Sequence, residues 1–379
     1  MPSNINKYAK LSPNYDITIG IGPVNISLSL PISDWANSIW CKISQQNLSL
    51  GKEFINWCMY KILDDRLTEK GCYGSWGKSY LNFLSFIYDE DSLPNDISYK
   101  DSITFTSIVV SALCRFNRKY NIKGLDRILK DSTKYYISRQ DCNTGGFGLL
   151  VKTTRQDSRV AVDLRHSAYA ILGLVEIGCN PEEIIKGFKF INSRLQDINP
   201  RHERAITISV LHNLFSSEKL SNYSIGLVDD LENWKARFET ELISSYDHEL
   251  CSWDMDKDPV DKSQIDNAFF VLSNLNNNSI NSLKLKELCV LAIDSILKSN
   301  TIEISDSESG ICFVNNSKPD IGTTLQFLEI ILTNHEMYNI KHENIKKMIK
   351  FVTQQYSNTD YTPHSYGWQI ASALKISTI

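Results

Sequence analysis

No stretch of this 379-residue chain reaches the roughly 18 consecutive apolar residues of a membrane-spanning helix, so no transmembrane segment is expected. The first sixteen residues lack the apolar core of a signal peptide. The nine cysteines are scattered, odd in number and form no CxxC pair. That pattern argues against a disulfide framework and a zinc ribbon, and it points to buried reduced thiols in a cytoplasmic protein. Basic charge is not in excess. Lys and Arg number 40 against 44 Asp and Glu, a formal net charge of −4. Such a balance supplies no general field for nucleic acid, so no nucleic-acid partner is expected. No Gly-x-Ser-x-Gly elbow and no paired histidines support a covalent nucleophile. Gly20 and Gly22 lack a third glycine and a clear following helix, so they read as a turn rather than a phosphate loop.

What the chain does have is an ordinary globular composition, 42% hydrophobic and 22% charged. Residues 17–30 are β-branched and partly alternating, and they read as a short β-hairpin or extended arm. The expected organisation is an N-terminal arm over residues 1–51 and a repeat domain over residues 52–379. From residue 52 the apolar spacing becomes helical. An outer helix, a turn rich in glycine and aromatics, and an inner helix then recur. The expected pairs are 54–67 with 106–116, 129–140 with 167–174, and 184–195 with 205–214. They continue with 234–246 and 265–275, 285–297 and 323–332, and 345–355 and 369–375. Inner-helix ends fall about 40 to 60 residues apart, a helical-repeat spacing. The expected fold is all-α, with about six helix pairs closing into an α/α toroid; an open solenoid is the alternative. The turn 145–148 leads into a polar loop expected over residues 149–162, and Gly146 in that turn is expected to need a positive φ, so that Gly146→Val costs about 1–3 kcal/mol.

The segment Lys134-Tyr135-Tyr136-Ile137-Ser138-Arg139-Gln140, followed by Gly145-Gly146-Phe147-Gly148, resembles the repeat of squalene–hopene cyclases and protein prenyltransferase beta subunits. That repeat sets a Gln at an outer-helix end before a Gly-aromatic turn. The resemblance covers residues 52–379, strongly in this repeat and loosely in the others, and it implies a toroid. It does not carry the families' chemistry across. The prenyltransferase zinc site uses Asp-x-Cys and a His. Here Asp320-Ile321-Gly322 has Gly in place of the thiolate, Tyr366 stands at or near the His position, and His364 lies nearby. No metal and no cofactor is therefore expected. The cyclase acid motif Asp-x-Asp-Asp corresponds to Asp163-Leu164-Arg165-His166, where Arg165 and His166 replace two carboxylates. An Arg beside Asp163 lowers its pKa, the wrong direction for a strong acid.

Asp163, Arg165 and His166 form the principal candidate site, read either as an anion or polar-ligand site at an inner-helix start or as an N-cap with a satisfied His. Asp163 and His166 are the candidate catalytic pair and Arg165 a candidate ligand contact. The aromatics Tyr73, Trp76, Phe147, Trp253, Phe313 and Trp368 recur before inner helices. Trp76, Phe147, Trp253 and Trp368 are candidate ligand-binding residues, with packing wedges between helix pairs as the plainer reading. The acidic run Asp254–Asp261 departs from the EF-hand pattern at Pro259 and Ile265 and reads as a solvated loop. Arg201, His202, Glu203 and Arg204 read as a helix start. The function these features imply is a binding module for a lipid-like small molecule or a protein partner. An isoprenoid-type cyclase or transferase with a divergent central site is the alternative. A deep apolar cavity with Asp163 and His166 converging in it favours the enzyme; a filled interior with an outer patch favours the module.

Overall fold

The computed structural model describes residues 16–21, 24–29, 50–67, 73–77, 102–122, 124–152, 158–178, 181–195, 205–223, 231–253, 264–312, 318–338, 340–362 and 365–379. Twelve α-helices lie among them. The odd-numbered ones are α1 (Lys52–Asp64), α3 (Leu125–Ser138), α5 (Pro181–Leu195), α7 (Leu231–Ser244), α9 (Leu283–Ser299) and α11 (His342–Gln355). The even-numbered ones are α2 (Ile103–Tyr120), α4 (Leu164–Ile177), α6 (Ala205–Phe215), α8 (Gln264–Asn274), α10 (Ile321–Thr333) and α12 (Gly367–Ile376). Strands are short and paired two by two. They are β1 (Asp16–Ile21) with β2 (Val24–Ser29), β3 (Gly148–Lys152) with β4 (Ser158–Val162), β5 (Tyr246–Asp247) with β6 (Ser252–Trp253), and β7 (Thr301–Ser305) with β8 (Glu308–Ile311). The all-helical class is what the chain adopts, and each expected outer and inner helix is present. The β1–β2 pair is antiparallel, with Asp16 opposite Ser29, as the β-branched run leads one to expect.

Burial separates the two sets of helices. α6 is buried at every residue except Asn213, and α12 at every residue except Lys375. α7, by contrast, buries only Phe238, Glu239 and Leu242. A helix that is apolar all round belongs inside, and one with a single apolar stripe belongs at the surface. Small residues let the inner helices approach their neighbours. A methyl group at Gly173 of α4 would stand 2.3 Å from the Tyr136 hydroxyl on α3.

The inner helices touch in sequence, α2 to α4, α6, α8, α10 and α12, and α12 packs back on α2. A polar tie marks each step near the helix C-termini. Arg118 Nη2 donates to Glu176 Oε2 at 2.8 Å, between α2 and α4. Lys219, just past α6, donates to the same oxygen at 2.7 Å. Asn213 reaches Asn274 at 3.4 Å, between α6 and α8. Asn334, after α10, donates to the Leu275 carbonyl at 3.3 Å. Lys375 donates to Glu329 at 2.7 Å, between α12 and α10. Tyr120 Oη and Lys119 Nζ both donate to the Ser377 carbonyl, at 2.8 and 3.0 Å, and complete the cycle.

Two expectations need correction. Residues 149–162 read as a polar loop, but most of them form the β3–β4 hairpin, with Gly148 opposite Val162. The glycine with positive φ in the preceding turn, 145–148, is Gly145 (φ +79°), not Gly146. Gly146 is required for space: a Cβ there would lie 2.8 Å from the Phe190 ring.

Candidate functional site

The inner-helix starts share one piece of local engineering. In α2, α4 and α10 the N-cap residues are Ser102, Asp163 and Asp320, and each side chain accepts a first-turn amide. This satisfies one of the free N–H groups that every helix start leaves. Four residues on stand Thr106, Ser167 and Thr324. Their hydroxyls accept the amides of Trp76 (3.0 Å), Phe147 (2.9 Å) and Ile311 (2.9 Å) in the preceding connectors. Those same three residues accept the N-cap amides through their carbonyls. Gln140 bolts its repeat to the next, donating to the Gly145 carbonyl at 2.8 Å and to the Glu183 carbonyl of α5 at 2.9 Å.

Against this shared frame, α4 departs at two positions. Its third residue is His166, where α2 has Phe105 and α10 has Thr323. The His166 amide donates to Asp163 Oδ1 at 2.7 Å, and the ring Nδ1 is in contact with Asp163 Oδ2. A carboxylate on Nδ1 orients the ring. The His166 side chain is 5% exposed and that of Asp163 is 46% exposed, so the pair runs from the interior to an open edge. The second departure is Arg165, half-buried, with no hydrogen bond or ion pair among the described residues. Its charge acts on Tyr169, one turn further along the same face. Tyr169 Oη accepts from Asn274 of α8 at 3.0 Å, reaching past α6. Asn274 also approaches Ser209 of α6 at 3.4 Å. That face of α4 therefore looks into the interior of the cycle.

Burial alone would raise the Asp163 pKa. The His166 charge, its two hydrogen bonds and Arg165 overcome burial and hold the carboxyl below the usual carboxylate range. Because the folded value lies below the unfolded one, the cap contributes fully above about pH 4 and its contribution fades as pH falls through the folded value. Asp163→Ala is expected to cost about 1 kcal/mol at pH 7 and less at acidic pH, as the carboxylate is protonated. Urea unfolding at pH 7 and at acidic pH measures this, and equal losses at both would rule out an ionised cap.

The structure brings Asp163, Arg165 and His166 together; of the aromatics, Phe147 meets them through its backbone, its carbonyl accepting the Asp163 amide at 3.2 Å. Trp76, Phe147, Trp253 and Trp368 are each at most 2% exposed. The Trp76 indole donates to the Ile62 carbonyl at 2.6 Å, and that of Trp253 to the Leu242 carbonyl at 2.9 Å, which pins both rings to outer helices. Phe147 packs against Gly187 of α5. Trp368 stacks between Phe105 (4.4 Å, 4°) and Phe270 (5.5 Å, 14°), so rings from α12, α2 and α8 meet in the interior. Asp320 accepts from the Thr323 amide and hydroxyl at Oδ1 and from the Ser365 hydroxyl at Oδ2, as a structural cap. A Cβ at Gly322 would lie 3.0 Å from Gln369. Among the described residues no three His, Cys, Asp or Glu side chains are grouped to hold a metal ion. Residues 254–261, 201–204, Phe313 and His364 lie outside the described residues.

Sequence reasoning missed Tyr169, Ser209 and Asn274, whose polar groups meet only through the fold. It also missed a buried pair, His212 of α6 and Glu239 of α7, with Nε2 3.2 Å from Oε1. A single His inside the apolar run of α6 was the visible signal. No protein-family model matches the chain, and no curated protein matches it in sequence. Thirteen chains among the solved structures are similar to it. One is the crystal structure of a sugar epimerase from a ruminal bacterium, 11% identical over 79% of this chain and 95% of that one, with a TM-score of 0.49.

Proposed function

We propose that this chain is an α/α toroid of the prenyltransferase and squalene-cyclase repeat type that serves as a binding module, its ligand a small carboxylic acid seated where α4 begins. The carrying observation is Arg165, a half-buried guanidinium without an ion pair among the described residues, beside the Asp163–His166 pair. A planar fork of N–H donors suits a carboxylate, and the free amides of a helix start add to the same field. His166 Nε2 then meets the ligand's polar edge. Cyclic packing of the inner helices supports the toroid. The Trp368 stack and the Tyr169–Asn274 bond both take up interior space that an isoprenoid chain would need, which favours the module over a cyclase. A reducing cytoplasm suits the buried thiols of Cys58 and Cys289.

Mass spectrometry of the purified protein for a retained acid, followed by calorimetric titration with that acid, tests the reading. Arg165→Ala is expected to weaken binding at least about tenfold while leaving the melting midpoint unchanged. If Arg165→Ala and His166→Ala both bind as the wild type does, the cluster is a helix cap and nothing more.

A further inference from the structure

We propose that the opposite rim carries a second site, for a phosphate-bearing small molecule, in the groove between the C-terminal ends of α2 and α12. Arg115, Arg118, Lys119, Thr378 and Ile379 line it, as a wide groove open to solvent with a volume of about 420 Å³. Three cations face one groove on a chain whose net charge is −4.

The fold's own needs do not account for all of them. Basic residues in a last helical turn offset the helix dipole, and Arg118 and Lys119 occupy the last turn of α2. Arg118 is held by Glu176, through Nη2 to Oε2 at 2.8 Å and Nη1 to the carbonyl at 3.3 Å. Glu176 also takes Lys219, so one carboxylate serves two cations. Lys119 is held as well, donating to the Ser377 carbonyl at 3.0 Å and standing over the Tyr120 ring at 5.6 Å. Arg115 sits a turn earlier, is exposed, and has no hydrogen bond or ion pair among the described residues. Two guanidinium groups and an ammonium around one hollow match the several oxygens and multiple charge of a phosphate better than the single charge of a carboxylate.

The groove straddles the seam where α12 packs back on α2. Cations on α2 form one wall, and the residues following α12 form the other. A phosphate that takes up Lys119 engages a side chain that also ties α2 to the Ser377 carbonyl across this seam. Ligand binding and closure of this seam are therefore coupled.

Titration of the full chain with pyrophosphate tests the proposal by calorimetry and by melting midpoint. The wild type is expected to bind and to melt higher when pyrophosphate is present. Arg115→Ala is expected to bind at least about tenfold more weakly with an unchanged ligand-free midpoint. Lys119→Gln, which keeps a donor for Ser377 and removes the charge, is expected to weaken binding in the same way. Arg165→Ala, at the other rim, is expected to bind pyrophosphate as the wild type does. The proposal is overturned if the wild type does not bind pyrophosphate, or if Arg115→Ala and Lys119→Gln bind it unimpaired. It is equally overturned if Arg165→Ala alone abolishes binding, which would assign the anion to the start of α4.

Discussion

Glu239→Ala is expected to destabilise the protein by on the order of 3 kcal/mol, because it strands several donors at once. Glu239 is 3% exposed and His212 is fully buried. The carboxylate accepts from the Asn281 amide at 2.8 Å and the Ser282 amide at 2.7 Å, and it faces His212 Nε2 at 3.2 Å. One side chain on α7 thereby holds α6 on one side and the start of α9 on the other. Among the described residues His212 Nδ1 is buried without a partner, so the ring has no other bond there to fall back on. Glu239→Gln keeps an acceptor but turns an N–H₂ group toward donors, and about 1–2 kcal/mol is expected. Burial alone would raise the Glu239 pKa, yet the His212 bond and the two amides outweigh it and hold the value below the usual range. A lowered folded value means full stabilisation above about pH 4.3, fading as pH falls through the folded value. The wild-type advantage over Glu239→Gln should therefore shrink on acidification below that pH. Urea midpoints across the range measure it, and an alanine variant within about 0.5 kcal/mol of wild type would mean that water replaces the lost acceptor.

Gly74→Ala should rank close behind, at about 3 kcal/mol, from two separate causes. Gly74 has φ +90°, and a Cβ there would lie 2.5 Å from the Asp131 carbonyl oxygen, in the backbone of α3. The Ser132 hydroxyl donates back to the Gly74 carbonyl at 2.8 Å, so the turn is held against that helix. Gly145, two residues before Phe147 as Gly74 is two before Trp76, rests on the Lys186 carbonyl of α5 in the same way. These turns need glycine because each leans on the next outer helix. Gly178 separates the causes. Its φ is +77°, but nothing lies within 4 Å of its missing Cβ, so Gly178→Ala should cost only about 1 kcal/mol. Equal losses for the two variants in thermal melts would show that conformation decides and the close approach does not.

The helices were legible because their apolar spacing is regular and their starts carry recognisable caps. Asp163 reads as a cap and acts as one, whereas Asp320, met in the sequence only as the counterpart of a zinc-motif Asp, also acts as a cap. The β7–β8 hairpin could have been read as well, since Thr301, Ile302 and Ile304 are β-branched and Asp306–Ser307 make a turn. It was overlooked beside the stronger helical signal. Gly145 and Gly146 were confused because adjacent glycines look alike in sequence, whereas only one takes the positive φ. The His212–Glu239 pair lies 27 residues apart on different helices, and no local pattern announces it. The Arg165–His166 cluster was visible because it interrupts an otherwise ordinary cap, though its inward face depends on Tyr169 meeting Asn274.

The cycle of inner-helix contacts changes how the molecule can come apart. In a linear stack of helix pairs, the last pair frays once a single interface opens. Here every inner helix has a neighbour on both sides, because α12 returns to α2. Detaching any one pair requires two interfaces to open together. Among the described residues the cycle of inner helices thus has no end from which unravelling starts, and amide-exchange protection should be spread evenly over α2, α4, α6, α8, α10 and α12 rather than graded along the chain.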